Sequence, residues 1–148
     1  MRLTAIGVAP CNQTVFDELT LDIQTKPSVF AGSNAEICEG NPYFFNNGAN
    51  YQNTAAILWT HNGLGTLTNP NTLSPTYTPA LGELGQINFY LTGTPLAPCS
   101  QEAQDSFTLD IIEFGSIEAG DDVSICDTSY QLNGVGANIN TINWTTSG

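Results

Sequence analysis

In 148 residues the chain sets 2 Lys+Arg against 14 Asp+Glu, a formal net charge of -12, and a surface this negative repels phosphate backbones and anionic lipid, which excludes nucleic-acid binding and docking on a charged membrane surface. Charged residues make up only 11% of the chain, well under the roughly 25% of an average soluble domain, so the surface is one of uncharged polar groups and not a disordered acidic tail. Hydrophobic residues at 41%, among them 2 Trp, 5 Tyr and 7 Phe, are enough for a core of about 100 residues, while no run reaches the ~18 apolar residues that would predict membrane insertion.

Taken in chain order, Met1 to Ala9 has the basic start and apolar stretch of a short leader, but its apolar part is too short and too polar for one. Leu19, Leu21 and Ile23 alternate with Thr20 and Asp22, the period of two that predicts a half-buried strand. Tyr43 to Phe45 reads as a short aromatic strand, and Ile57 with Trp59 as one face of a longer one. Thr76-Tyr77-Thr78 lies between Pro75 and Pro79, which places it near an edge or a strand end. Ile87, Phe89 and Leu91 alternate with Asn88, Tyr90 and Thr92; Phe107, Leu109 and Ile111 alternate with Thr108 and Asp110. Asn47-Gly48, Asn62-Gly63, Asn69-Pro70 and Gly82 are turn signals between these runs. Only Leu81 to Leu84 offers a single helical turn. About seven short strands without a helix predict an all-β, immunoglobulin-like β-sandwich. Its expected core is Ile57, Trp59, Ile87, Phe89, Leu91, Phe107, Leu109 and Ile111.

An internal repeat organises these elements. An offset of 88 lays Cys11 on Cys99 and Cys38 on Cys126, and pairing residues 3–38 with 91–126 without gaps makes 16 of 36 positions identical. Trp144 takes the place of Trp59 after a three-residue deletion. A period of 88 in a chain this long predicts a tandem array: 1–26 as the C-terminal part of one unit, 27–114 as a complete unit, and 115–148 as the N-terminal part of the next. The leader-like start is then the counterpart of Leu91 to Pro98, and the termini are expected to be cuts within repeats.

The motifs Ala31-Gly32-x-x-x-x-Ile37-Cys38-x-Gly40, Trp59-Thr60, Tyr77-Thr78-Pro79 and Pro98-Cys99, followed by an alternating last strand, form with their repeated counterparts a pattern that covers essentially the whole chain. In this order they resemble the PKD-like or Ig-like repeats of giant surface proteins of Bacteroidetes, especially the SprB-type gliding-motility adhesins. The resemblance implies export by the type IX secretion system, an extracellular place on the bacterial cell surface, and cell adhesion while a filament moves along the cell. Ser33-Asn34 departs from the more typical Asp121-Asp122 of the third unit.

Two cysteines per unit, without a C-x-x-C spacing, predict disulfides rather than metal ligation. The simplest pair is Cys38 with Cys99, closing a loop of about 60 residues that would stabilise the unit by roughly 4 kcal/mol. The rival is a staple from one unit to its neighbour, the in-unit pair being the one favoured. Asp110, Glu113, Glu118, Asp121 and Asp122 surround the second unit boundary, where a calcium ion would find oxygen ligands. Only Asp22 and Glu36 stand at the first, and no D-x-D-x-D-G loop is present, so a solvated acidic surface without cofactor is the expectation.

His61 is the single histidine and is followed by the turn signal Asn62-Gly63, so it is expected to lie exposed in a turn. Without G-x-S-x-G, H-E-x-x-H or phosphate-binding motifs the chain does not read as an enzyme. The function expected is therefore a structural and adhesive repeat, with neighbouring repeats, surface glycans or other cell-surface proteins as partners. The alternative is a carbohydrate-binding accessory module of a secreted glycoside hydrolase, with Tyr43, Tyr51, Trp59 or Tyr90 as stacking platforms.

Overall fold

A computed structural model describes residues 1–126 and 128–146, which form thirteen strands and no helix. Nine strands belong to the middle of the chain: β3 Ser28–Phe30, β4 Ala35–Cys38, β5 Tyr43–Phe44, β6 Asn50–Gln52, β7 Thr54–His61, β8 Thr66–Thr68, β9 Thr76–Thr78, β10 Gly85–Pro95 and β11 Ala103–Ile112. One sheet runs in the order β4-β11-β10-β7. The shorter ladders β3-β6 and β5-β9-β8 supply the remaining strands of this part of the chain. All these pairings are antiparallel except β4 with β11.

Alternation along the two longest strands decides which side chains meet. Register pairs Ile87 with Leu109 and Phe89 with Phe107, and on the other side of β10 it pairs Leu91 with Trp59 and Gly93 with Ile57. Ile87, Phe89 and Leu91 thus each face an apolar partner across a ladder, Ile57 lies opposite Gly93, and all of Ile57, Trp59, Ile87, Phe89, Leu91, Phe107, Leu109 and Ile111 are buried. Tyr43, Phe45 and Tyr77 close the core from the opposite side. The Phe45 ring stands nearly perpendicular to Trp59, Phe89 and Phe107, with centroids 5.0, 5.1 and 5.2 Å away, the edge-to-face geometry that aromatic quadrupoles favour. Trp59 also satisfies its polar edge, donating Nε1–H to the Thr72 carbonyl at 3.1 Å.

The first segment of this sandwich changes sheets. After β3 pairs with β6, Ala31 to Asn34 crosses over, and β4 joins β11. Gly32 makes the crossing at φ 92°, and Asn47 holds it by donating from Nδ2 to the carbonyls of Ala31 at 3.0 Å and Ser33 at 3.1 Å. Ala31 N–H donates to Asp105 on β11 at 2.8 Å. A methyl group at Gly32 would run into the Asn47 carboxamide, whereas Gly48, with a similar φ of 87°, faces open space. Gly32→Ala is therefore expected to cost about 2–3 kcal/mol, a backbone term plus the displaced Asn47 bonds, and Gly48→Ala about 1 kcal/mol. Urea midpoints of the two variants measure the difference, and equal losses would contradict it.

Short ladders flank the sandwich. Arg2–Ile6 (β1) pairs with Thr14–Glu18 (β2), and Ser116–Glu118 (β12) pairs with Val135–Ala137 (β13). The β1–β2 partners Leu3↔Asp17, Thr4↔Phe16 and Ala5↔Val15 occupy the same relative positions as Leu91↔Asp105, Thr92↔Gln104 and Gly93↔Ala103 in β10–β11, each residue 88 earlier. The turns match too, Cys11 N–H donating to Val8 O and Cys99 N–H to Leu96 O.

In β12–β13, Ser116↔Ala137, Ile117↔Gly136 and Glu118↔Val135 stand as Ser28↔Gln52, Val29↔Tyr51 and Phe30↔Asn50 do in β3–β6. The first partner is shifted by 88 and the second by 85, the spacing between Trp59 and Trp144. Backbone angles follow, with φ 92° at Gly32 against 89° at Gly120, and 54° at Asn53 against 53° at Asn138. Leu81 to Leu84, expected as a helical turn, is instead a reverse turn closed by Glu83 N–H on the Ala80 carbonyl, because Gly82 takes φ 73°.

Candidate functional site: the two ends of the sandwich

β11 decides where the cysteines go. Cys38 ends β4 opposite Ile112, the last residue of β11, while Cys99 lies in the loop that precedes Ala103, its first. A strand of 10 residues spans about 30 Å, against the ~7 Å between Cα atoms that a disulfide tolerates. The expected in-unit pair Cys38–Cys99 is thus incompatible with the structure, and both thiols, like those of Cys11 and Cys126, are free. The reason is the parallel placement of β4 beside β11, which carries Cys38 away from the β10–β11 loop.

The two ends differ in what surrounds each thiol. Cys99 Sγ lies 3.8 Å from the carbonyl of Thr25, in the segment that enters the sandwich. Cys38 is exposed beside the segment that leaves it: the next residue, Glu39, donates its N–H to Ile112 O at 2.8 Å, and its carboxylate accepts from Phe114 N–H at 3.4 Å.

The carboxylates of the second boundary do not converge. Asp110 stands next to Glu36 in the β4–β11 ladder, in an open polar trough with Asn34, Gln86 and Thr108. Glu113 accepts a bond from Asn138 Nδ2 at 3.2 Å, and Glu118 accepts one from Gly120 N–H at 3.3 Å. Asp121 and Asp122 are exposed. Among the described residues no group of three or more His, Cys, Asp or Glu side chains is arranged to hold a metal ion.

His61 is not the exposed turn residue expected. It ends β7, half-buried, with its ring 4.9 Å from that of Tyr77 and 5.5 Å from that of Phe89. β7 runs on to His61 because its register with β10 extends to Phe89. Of the four aromatic residues considered as glycan platforms, Tyr43 and Trp59 are buried in the core, where no sugar ring can reach them. Tyr51 and Tyr90 remain, each 44% exposed.

No family model matches this chain, and no curated protein matches it.

One polar cluster escaped the sequence reading. The Glu83 carboxylate accepts the Tyr77 hydroxyl at 2.9 and 3.0 Å, the Ala80 N–H at 2.8 Å and the Leu64 N–H at 2.5 Å, while Tyr77 Oη accepts Gly65 N–H at 2.9 Å. Burial alone would raise the Glu83 carboxyl, but the bonds from Leu64, Ala80 and Tyr77 outweigh it and hold it below its ordinary value of 4.5. Burial, then the bond to Glu83, push the Tyr77 hydroxyl up to about 12. The signal available was weak: Tyr77 between two prolines, and Glu83 as the one carboxylate between Glu39 and Glu102. The cluster ties the β7–β8 crossover to the β9–β10 turn, so its task is architectural.

Proposed function

We propose that this chain is a stretch of a tandem array of Ig-like or PKD-like sandwiches with period 88, part of a large adhesin displayed outside a bacterial cell. The observation that carries the reading is the duplication of ladders. β1–β2 repeats the register of β10–β11, and β12–β13 repeats that of β3–β6. Burial supports the same reading. Leu3, Leu21 and Ile23 are 77%, 62% and 81% exposed, while their counterparts Leu91, Leu109 and Ile111 are 0%, 0% and 2% exposed. Trp144 is 47% exposed where Trp59 is 2%. Side chains of the flanking pieces thus present, bare, the apolar faces whose counterparts the central segment covers.

Stacked sandwiches make a stiff stalk, in which the strand ladders bear force along the filament and the uncharged polar surface keeps it solvated. Attachment to surface glycans or to other cell-surface proteins, and a part in gliding motility, follow from the family resemblance. Limited proteolysis tests the architecture: residues near 27–114 are expected to survive as one resistant fragment while 1–26 and 115–148 are lost early. Equal resistance along the whole chain would refute independent units.

A further inference from the structure

We propose that the cysteines form disulfides between successive units, the residue at Cys38 of one unit bonding to the residue at Cys99 of the next. The inference rests on the array reading. Cys99 Sγ lies against the carbonyl of Thr25, at the entry to its own unit. The period of 88 carries Thr25 onto Glu113, so the following unit's counterpart of Cys99 would lie against the Glu113 carbonyl. That position falls within Ile112 to Phe114, the segment that Cys38 and Glu39 flank through the Cys38↔Ile112 register and the Glu39 bonds to Ile112 and Phe114.

Two thiols from adjacent units therefore converge on one three-residue exit, whereas the two thiols of a single unit are held a strand length apart. Cys11 and Cys126 take the same parts in the flanking units: Cys11 closes the loop equivalent to the one at Cys99, and Cys126 follows Ile125 as Cys38 follows Ile37. None of the four then has its partner within residues 1–148, in accord with four free thiols.

Formation of the bond is a thiol–disulfide exchange. Each cysteine gives up one proton and one electron, a sulfur–sulfur bond forms between them, and a disulfide oxidant such as oxidised glutathione is reduced to two thiols. Covalent staples of this kind would cross each unit boundary, where few strand hydrogen bonds are available to resist a pull.

The test uses this chain and a longer one in which residues 27–114 occur twice in succession, both equilibrated in a mixture of reduced and oxidised glutathione. The 148-residue chain is expected to keep its four thiols free of internal bonds. The longer chain, with second copies of Cys38 and Cys99 added to those four, is expected to form one disulfide, from Cys38 of the first copy to Cys99 of the second, by peptide mapping. Cys38→Ser in the first copy should abolish it. A Cys38–Cys99 bond within one copy, or no bond in a longer chain that yields two protease-resistant units, would overturn the proposal and leave the array standing. A longer chain that fails to yield two resistant units would overturn the array and the staple with it.

Discussion

Phe89→Ala is expected to destabilise the central sandwich by about 3–5 kcal/mol, the largest effect of any single change considered. Phe89 is fully buried on β10, stacked on Phe107 at 5.2 Å and edge-on to Phe45 and Tyr77 at 5.1 and 4.9 Å. Truncation removes the transfer energy of the ring and leaves a void between two sheets whose ladders resist collapse. At about 0.05–0.15 kcal/mol per residue, the segment from β3 to β11 has only about 4–13 kcal/mol to lose. Phe89→Leu, which refills most of the volume, should cost under half as much. Far-UV circular dichroism during urea unfolding measures both. A Phe89→Ala loss below about 1 kcal/mol would mean that the aromatic cluster does not hold the sheets together.

The second large effect belongs to Glu83. Glu83→Ala withdraws the acceptor from Tyr77 Oη and from the Leu64 and Ala80 amides at once, at an expected cost of about 2–4 kcal/mol. Tyr77→Phe should cost less, about 1–2 kcal/mol, since Glu83 keeps its two amide donors. The pair is also expected to be non-additive, because both changes break the same bond.

The pH dependence follows from the same geometry. Glu83 is held below its ordinary 4.5, so its contribution is complete above that value and is lost as pH falls through the lowered folded value. Tyr77 is raised from 10.0 to about 12, so its contribution is complete below pH 10 and is lost as pH rises between those two values. Stability measured against pH should fall at both limits in the parent and lose the acid limb's Glu83 component in Glu83→Ala. An unchanged acid limb would remove Glu83 from the account.

The chain's periodicities were informative because they depend only on neighbouring residues. Ile87, Phe89 and Leu91 alternate with polar residues, so in any extended conformation they share one face, and that face is apolar enough to be buried. The offset of 88 is likewise a property of the linear chain; the β1–β2 register matches that of β10–β11 at that offset, whereas in β12–β13 the second strand is displaced by 85 relative to β6.

Other features depended on contacts between residues far apart. That β4 lies parallel to β11 is set by the Gly32 crossing and by the bonds of Asn47 and Asp105, partners 16 and 74 residues from Ala31. This one placement sends Cys38 and Cys99 to opposite ends, which cysteine spacing could not reveal. His61 beside its turn signal looked exposed until the β7–β10 register carried it onto Phe89. Tyr77 and Glu83 became partners only when a reverse turn at Gly82 brought them together. Residue order alone determined an all-β chain and its sequence self-similarity, because side-chain alternation is local and self-similarity is carried by the linear chain. It did not determine every strand, since Leu19, Leu21 and Ile23 alternate as a half-buried strand should yet lie exposed beyond the end of β2 at Glu18. The ends at which the thiols stand, the burial of His61 and the carboxylate clamp were decided by sheet pairing, since only packing sets which distant groups share a neighbourhood.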